Sequence, residues 1–539
     1  MSLADLCTPQ TFGSLALAGA EILSIDATVV LNHTPTPGPG QPPVETHLDF
    51  CNATVSYTHP GQGDSIVVEA WLPAAESWNK RLQAVGGAGY VAGRLPYSYA
   101  AMDAAVAGGY VTVTTDAGLG DASDAGPWGL VSEGNVNLYN LQNLASVSLN
   151  DQAIIAKSLI RSFYDKAPEY SYWNGCSQGG RQGLMLAQRY PDAYDGIMAG
   201  APTLYWTELV SSIQWPQQVM NVLGWFPRGC EIDALIAAAV AECDLLDGVE
   251  DGIIGEIDAC LERVDPFRLV GSSIPCEQAG GNDVEISEAA AIVVNATWNG
   301  WRSQDGMYSW YGIPPGADVS GNGPTTYGVP GVAATSCEEG TCVAAPNVLG
   351  TQWLQLFVEK DSTLDMLSLT HEKFDTLVHA SGQMYRSTIS TVDPDLSRFR
   401  DAGGKMVTFH GLADSLIPPQ GTERYYNEVW DLLPDVHDFY RYFEAPGLGH
   451  CFGGRSAPPA GLFDQLRAWV ENGTAPEQTP ARITDLEGDQ QDRILCPYPK
   501  KGKFNKKCGR AGDAKCWGCV TVGRGGPESP HRHGRMCGP

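Results

Sequence analysis

The sequence predicts an α/β fold: a largely parallel sheet covered by helices on both faces and interrupted by one large insertion. Three observations carry this. Strand and helix patterns alternate over roughly the first 200 residues, the character changes between about Pro202 and Arg400, and alternation returns from Lys405. In order, Arg81 to Val85 reads as a strand entering the turn Gly86-Gly87-Ala88-Gly89, and Gly109 to Thr115, rich in valine and threonine, as a second strand. Ser148 to Tyr164 has the apolar spacing of a helix, Tyr170 to Asn174 is a short aromatic strand, and Arg181 to Arg189 resumes as a helix. Strands joined through helices imply parallel pairing, because a parallel pair needs a crossover connection.

The middle of the chain differs. It holds aromatic-rich segments, the cysteines Cys230, Cys243, Cys260 and Cys276, and a Gly/Pro-rich stretch from Gly312 to Val332. Lys405 to His410 and Phe439 to Phe443 then read as strands, and Ala460 to Asn472 as an amphipathic helix ended by Asn-Gly. Residues 1–201 and 402–520 are therefore expected to form one core domain, 202–401 an inserted lid domain suited to cover a site on the core, and 521–539 a disordered tail.

The chain has 539 residues, enough to bury a large core. Its net charge of −28 argues against nucleic acid or an anionic membrane as partner, since phosphate would be repelled. No apolar run is long enough to cross a bilayer. The start lacks an apolar signal region and reads as a mature chain after signal-peptide removal. Fifteen cysteines are many for a reducing compartment. Sequons at Asn32, Asn52, Asn295 and Asn472 point with them to a secreted glycoprotein.

Gly175-Cys176-Ser177-Gln178-Gly179 is a G-x-S-x-G segment after a β-rich run and before a helix. Its glycines permit the sharp strand-to-helix turn that exposes a nucleophilic serine at the top of an α/β-hydrolase sheet. Such a serine needs a histidine base and an orienting acid, in chain order Ser, Asp, His. Asp414 lies in the loop after the strand at Lys405, and His450 in the glycine-flanked loop Pro446 to Cys451. His410 is the rival histidine, but it falls within a strand and before the acid. Cys176 precedes Ser177 and Cys451 follows His450, so a hydrogen-bonded serine and imidazole would bring the two cysteines within disulfide reach.

The GCSxGGRQG segment, the Asp414 loop and the adjacent His450-Cys451 resemble the tannase and feruloyl esterase family, over about Cys7 to Cys519. The resemblance implies an α/β-hydrolase core with a lid, Ser177, Asp414 and His450 as catalytic residues, and a Cys176–Cys451 bridge. It further suggests pairings Cys7–Cys51, Cys243–Cys260 and Cys496–Cys519, with Cys337–Cys342 as a local loop. Cys230–Cys276 and Cys508–Cys516 follow only by elimination, leaving Cys537 over. Relatives often carry Gly-His at the end of the segment that here reads Thr115-Asp116-Ala-Gly-Leu119. The implied activity is hydrolysis of phenolic esters: release of hydroxycinnamic acids from plant cell-wall sugars first, cleavage of galloyl esters second. A small phenolic ester or a feruloylated oligosaccharide is the expected partner of a monomer or homodimer. The reading from another class is a catalytically silent hydrolase-fold binding protein, which an intact triad argues against.

Fold logic gives one oxyanion-hole donor as the Gln178 N–H and the other as an N–H of the Gly86–Tyr90 turn, Ala88 before Gly87. No organic cofactor is implied. Asp244, Asp247 and Asp251, with the carbonyls of Val249 and Ile253, pack hard oxygen donors into one short loop that could encircle calcium, although the EF-hand pattern is absent. Members of the family it resembles hold a structural calcium in this segment of the lid.

Overall fold

The computed structural model describes the chain apart from residues 1, 14, 40–42, 121, 323–329, 339 and 524–539. Of the tail expected over 521–539, residues 524–539, with Cys537, lie outside the described residues, whereas Thr521 ends a strand, Trp517–Thr521.

Nine strands form one sheet: β1 (Glu21–His33), β2 (Leu48–Thr58), β3 (Ile66–Pro73), β4 (Arg81–Val85), β5 (Val111–Thr115), β6 (Tyr170–Cys176), β7 (Gly196–Gly200), β8 (Lys405–Gly411) and β9 (Tyr440–Ala445). Their spatial order is β1-β2-β3-β5-β4-β6-β7-β8-β9. From β5 to β9 every pairing is parallel. The expectation of strand–helix alternation fails before residue 80. There β1, β2 and β3 form an antiparallel meander, with β3 antiparallel to β5. Short loops allow such neighbours to pair antiparallel without a crossover helix.

Burial follows position in the sheet. The edge strand β1 alternates between exposed and half-buried residues, whereas all five residues of β5, Val-Thr-Val-Thr-Thr, are buried. β-branched side chains suit a strand covered on both faces. Alternate residues of the inner strands enter opposite cores: Trp173 and Met406 on one face, Tyr172 and Val407 on the other. The first face is covered by α2 (Val147–Tyr164), α3 (Gln178–Arg189) and α7 (Pro419–Leu432), the second by α1 (Pro96–Ala107) and α8 (Leu462–Asn472). Gly473, left-handed at φ 72°, ends α8 where Asn-Gly was read as a stop.

Between β7 and β8 the described chain adds no strand to this sheet. It builds helices, among them α4 (Trp215–Leu223), α5 (Val348–Gln352) and α6 (His371–Ile389), and two short hairpins. Seven disulfides staple the described chain, joining Cys7–Cys51, Cys176–Cys451, Cys230–Cys276, Cys243–Cys260, Cys337–Cys342, Cys496–Cys519 and Cys508–Cys516. Among the described residues no helix is long and apolar enough to cross a membrane.

Candidate active site

Ser177, Asp414 and His450 follow the C-terminal ends of β6, β8 and β9, the edge of an open parallel sheet where sites form. Ser177 is forced to φ 62° and ψ −121°, a conformation costly for any residue with a Cβ. The elbow that holds it has no room for side chains. A Cβ on Gly175 would lie 2.6 Å from the Gly179 carbonyl, and one on Gly180 would lie 2.3 Å from the Gly200 carbonyl. The Ser177 N–H donates to the Gly200 carbonyl at 3.0 Å, tying the elbow to β7.

Ser177 Oγ lies 2.9 Å from His450 Nε2, and His450 Nδ1 lies 2.8 Å from Asp414 Oδ2. The other carboxylate oxygen, Oδ1, accepts the N–H groups of Leu416 and Ile417 at 2.9 and 2.8 Å. Asp414 is wholly buried, while Ser177 and His450 keep partial exposure. Burial alone would raise the Asp414 carboxyl. The His450 charge and the hydrogen bonds from His410 and His450 outweigh it and hold the group well below the usual carboxylate range. Since the Asp414 carboxylate can only accept, His450 Nδ1 carries the proton and Nε2 is free to take one from the serine.

The structure adds residues that the sequence motifs do not reveal. His410, the rival histidine, is no rival but a second imidazole on the same acid: its Nε2 lies 3.2 Å from Asp414 Oδ2 and 3.1 Å from the Ile417 carbonyl. Two acceptors at Nε2 fix the proton there, and Nδ1 takes up the Thr422 hydroxyl at 2.8 Å. The available signal was the four-residue spacing between His410 and Asp414. Arg181, fully buried on α3, donates to Gln178 Oε1, the carbonyls of Leu144 and Ala145, and Thr391 Oγ1. Burial pushes its guanidinium down to about 9, with Arg189 adding to the effect. An arginine inside a glycine-rich turn was the clue to this buried anchor.

One sequence expectation needs correction. The Ala88 N–H already donates to the Val91 carbonyl at 3.1 Å, and the Gly87 N–H to Gln182 Oε1 at 3.0 Å, so neither is free for an oxyanion. The turn does pack on the elbow, since the Gly179 N–H donates to the Gly87 carbonyl at 3.1 Å. The Gln178 N–H differs. It opens α3, and the carbonyl four residues back, Asn174, accepts from Gly86 instead.

The acidic loop also takes shape. Asp244 accepts N–H groups from Asp251, Gly252 and Ile253, Asp247 accepts from Val249, and Asp251 pairs with Arg493 at 2.7 Å. As folded, no three His, Cys, Asp or Glu side chains among the described residues gather into a chelating group. The negative charge of the loop is only partly offset. Three carboxylates face one guanidinium, and no ion pair reaches Asp247 among the described residues. Burial pushes the Asp247 carboxyl up to about 6, with Asp251 and Asp244 adding to the rise. Among the sequons, Asn32 and Asn472 are exposed and Asn295 is half-buried on a helix. Asn52 lies half-buried within β2, where its Nδ2 donates one hydrogen bond to Glu69 Oε1 at 3.0 Å.

A serine on a strained elbow, an imidazole within hydrogen-bond reach and a buried aspartate behind it, on this sheet, define a carboxylic ester hydrolase of the α/β-hydrolase fold. A family model for tannase and feruloyl esterase matches residues 51–520, and the chain belongs to that family. A protein of Arthroderma benhamiae described as "Probable feruloyl esterase" is 39% identical over 492 residues, 89% of this chain and 88% of that one. Tannin acyl hydrolase from Aspergillus niger superposes with a TM-score of 0.85 at 28% identity, covering 97% of this chain and 96% of its own. Feruloyl esterase B from Aspergillus oryzae shares the fold, with a TM-score of 0.75 at 22% identity, covering 95% and 100% respectively.

Proposed function

We propose that this protein is a secreted feruloyl esterase that releases hydroxycinnamic acids from plant cell-wall esters through an acyl-enzyme. The observation that carries the reading is the unbroken chain from Ser177 Oγ through His450 to Asp414, at 2.9 and 2.8 Å, in a chain 39% identical to a probable feruloyl esterase. His450 Nε2 takes the hydroxyl proton as Ser177 Oγ attacks the ester carbonyl. The Gln178 N–H faces the developing oxyanion, and His450 returns the proton to the departing alcohol. Water then attacks the acyl-enzyme by the same route and frees the acid and Ser177. The likeness to a tannin acyl hydrolase at a TM-score of 0.85 supports galloyl-ester cleavage as the second reading.

Turnover of methyl ferulate and methyl gallate side by side tests the choice. The feruloyl reading expects the larger kcat/KM on ferulate, and a larger value on gallate would reverse it. Ser177→Ala should lower turnover of either ester by several orders of magnitude without changing Tm by more than a few degrees. Near-normal rates would reject the nucleophile.

Seven disulfides support an oxidising compartment, with glycans at the exposed Asn32 and Asn472. The loop from Asp244 to Ile253 is assigned a structural calcium held by Asp244, Asp247, Asp251 and the carbonyls of Val249 and Ile253, with no part in the chemistry. Chelation should lower Tm, and more at pH 7 than at pH 4, because protonated carboxylates release the ion. A Tm indifferent to chelator and to added calcium at pH 7 would remove the ion from the account.

A further inference from the structure

His450 belongs to a turn whose backbone is poorly suited to hold itself. The Gly449 N–H closes it by donating to the Gly453 carbonyl at 2.9 Å. Within and just after the turn, Cys451, Gly453 and Gly454 all take positive φ, at 65°, 77° and 73°. Glycines leave a chain soft, and a cysteine stays in the left-handed region only where its surroundings fix it. Side chains must therefore anchor the turn. Three consecutive residues reach three different elements: His450 meets Asp414 and Ser177, Cys451 is bonded to Cys176, and Phe452 stacks on Tyr97.

The Tyr97 and Phe452 rings have centroids 6.3 Å apart and planes 29° apart, an offset stack in the usual range for aromatic pairs. Both residues are half-buried. Phe452 also packs on the core of the second sheet face, which contains Cys176 and Cys451. Tyr97 stands at the start of α1 on ground fixed from both sides. Ser98 Oγ donates to the Gly86 carbonyl at 2.9 Å, and Arg94 Nε and the Tyr99 hydroxyl each donate to Glu69 Oε2 at 3.0 Å. Gly86 in turn lies against the nucleophile elbow, where a Cβ on it would come 2.5 Å from Gly179 Cα. The stack thus ties the turn that carries the base to the framework that holds the serine.

We propose that Tyr97 and Phe452 are positioning residues, a noncovalent clamp that keeps His450 in line with Ser177 beside the Cys176–Cys451 bridge; this role rests on the esterase reading of that pair. The bridge fixes the turn at one sulfur, about which it can still pivot, and a ring anchored one residue further on removes that rotation. A base displaced by about 1 Å can cost on the order of 10²-fold in rate. An aromatic pair is worth a factor of roughly two to ten in an equilibrium, so losing the stack should cost about tenfold.

The test is the rate at which diisopropyl fluorophosphate inactivates the full-length protein. Ser177 Oγ bonds to phosphorus, fluoride leaves and His450 takes the proton, so a reagent without a ring reports how well the base activates the serine. Phe452→Ala and Tyr97→Ala should each slow inactivation about tenfold and lower kcat on methyl ferulate to match, with KM changed less than twofold. Phe452→Tyr and Tyr97→Phe keep both rings and should stay within twofold of the unaltered protein. The double alanine variant should be no slower than the slower single one, because all three lose the same contact. Near-ultraviolet circular dichroism and an intact Cys176–Cys451 bridge establish folding; if Phe452→Ala does not fold, Tyr97→Ala decides. Unchanged inactivation in the folded alanine variants overturns the clamp, as do losses that multiply in the double variant. Unchanged inactivation with a raised KM for ferulate also overturns it, making the rings a shelf for the substrate. A Ser177→Ala protein that still hydrolyses ester rejects the catalytic reading itself, whatever the rings do.

Discussion

Removing the bridge between Cys176 and Cys451 separates the two catalytic loops without touching a catalytic atom. The bridge joins residues 275 apart with a Cα–Cα distance of 5.9 Å, and its cysteines are the immediate neighbours of Ser177 and His450. In the chain-entropy account, closing a loop of that length restricts the unfolded chain by about 5–6 kcal/mol. The nested bridges Cys230–Cys276 and Cys337–Cys342 shorten the effective loop, but the dependence is logarithmic and removes only about 0.1–0.3 kcal/mol. The two ends are not equally secured otherwise. The serine elbow keeps its glycine packing and the Ser177–Gly200 hydrogen bond, whereas Cys451 sits in the left-handed region at φ 65°, which an unbridged alanine would tend to leave. The imidazole is therefore the part expected to move, and a displacement of about 1 Å can cost on the order of 10²-fold. The double variant Cys176→Ala, Cys451→Ala should lose Tm and, at a temperature where circular dichroism shows it folded, lose about 10²-fold in kcat on an aryl ester. Cys176→Ala with Cys451→Gly, which tolerates the positive φ, should recover part of the rate. A folded double-alanine variant with normal kcat would refute the argument that the bridge positions the base.

Two further outcomes follow from the buried groups around the site. His410→Leu removes one donor from Asp414, and loss of a hydrogen bond to a charged group, about 1.5–3 kcal/mol, should lower kcat by roughly tenfold or more. With that donor gone Asp414 holds the His450 proton more firmly, so the acid limb of the kcat–pH profile should move to higher pH; an unmoved limb would reduce His410 to packing. Glu444, at the wall of a cavity also lined by Arg493, Leu495, Lys501 and Trp517, is pushed up to about 7 by burial first and then by Glu423, against the opposing Lys501. A carboxyl raised in the folded state stabilises fully below its ordinary value near 4.5 and loses that contribution as pH rises through about 7. A tenfold change in proton affinity is worth about 1.4 kcal/mol, so denaturation should show about 1–3 kcal/mol lost between pH 5 and pH 8.5. Glu444→Gln should flatten that loss, and a wild-type slope in the variant would assign the titration to another group.

What could be read in the sequence was local: a conformation that only certain residues permit, or a neighbour in the chain. Gly175 and Gly179 around Ser177 announced an elbow because no Cβ fits there, and the run of valine and threonine announced β5. The C-terminal end of α8 was legible from Asn472-Gly473, where chemistry and conformation coincide, whereas its start falls at Leu462 rather than Ala460. The meander of β1 to β3 was not, because whether neighbouring strands pair directly or through a crossover is decided by tertiary contacts rather than by the pattern within each strand. The oxyanion turn failed for a related reason. Gly86 to Tyr90 was visibly a turn, but which N–H remains free depends on Gln182, more than ninety residues away, and on Val91 closing the bridge.

The cysteines show how the two kinds of information combine. Alone, fifteen cysteines leave the connectivity open. Cys176 and Cys451 differ from the others because each stands beside a residue whose partner is dictated by chemistry: a serine nucleophile needs an imidazole within about 3 Å. That requirement becomes a distance restraint on their neighbours, and a Cα–Cα separation of 5.9 Å satisfies it. His410 obeys the same logic in reverse. Its place within β8 excluded it as a loop base, yet the strand fixes it one turn of chain from Asp414, where a second proton donor can hold the acid ionised without competing for the serine. In this site, function limits which long-range contacts are possible, and the residues next to the catalytic groups are where that limit can be read.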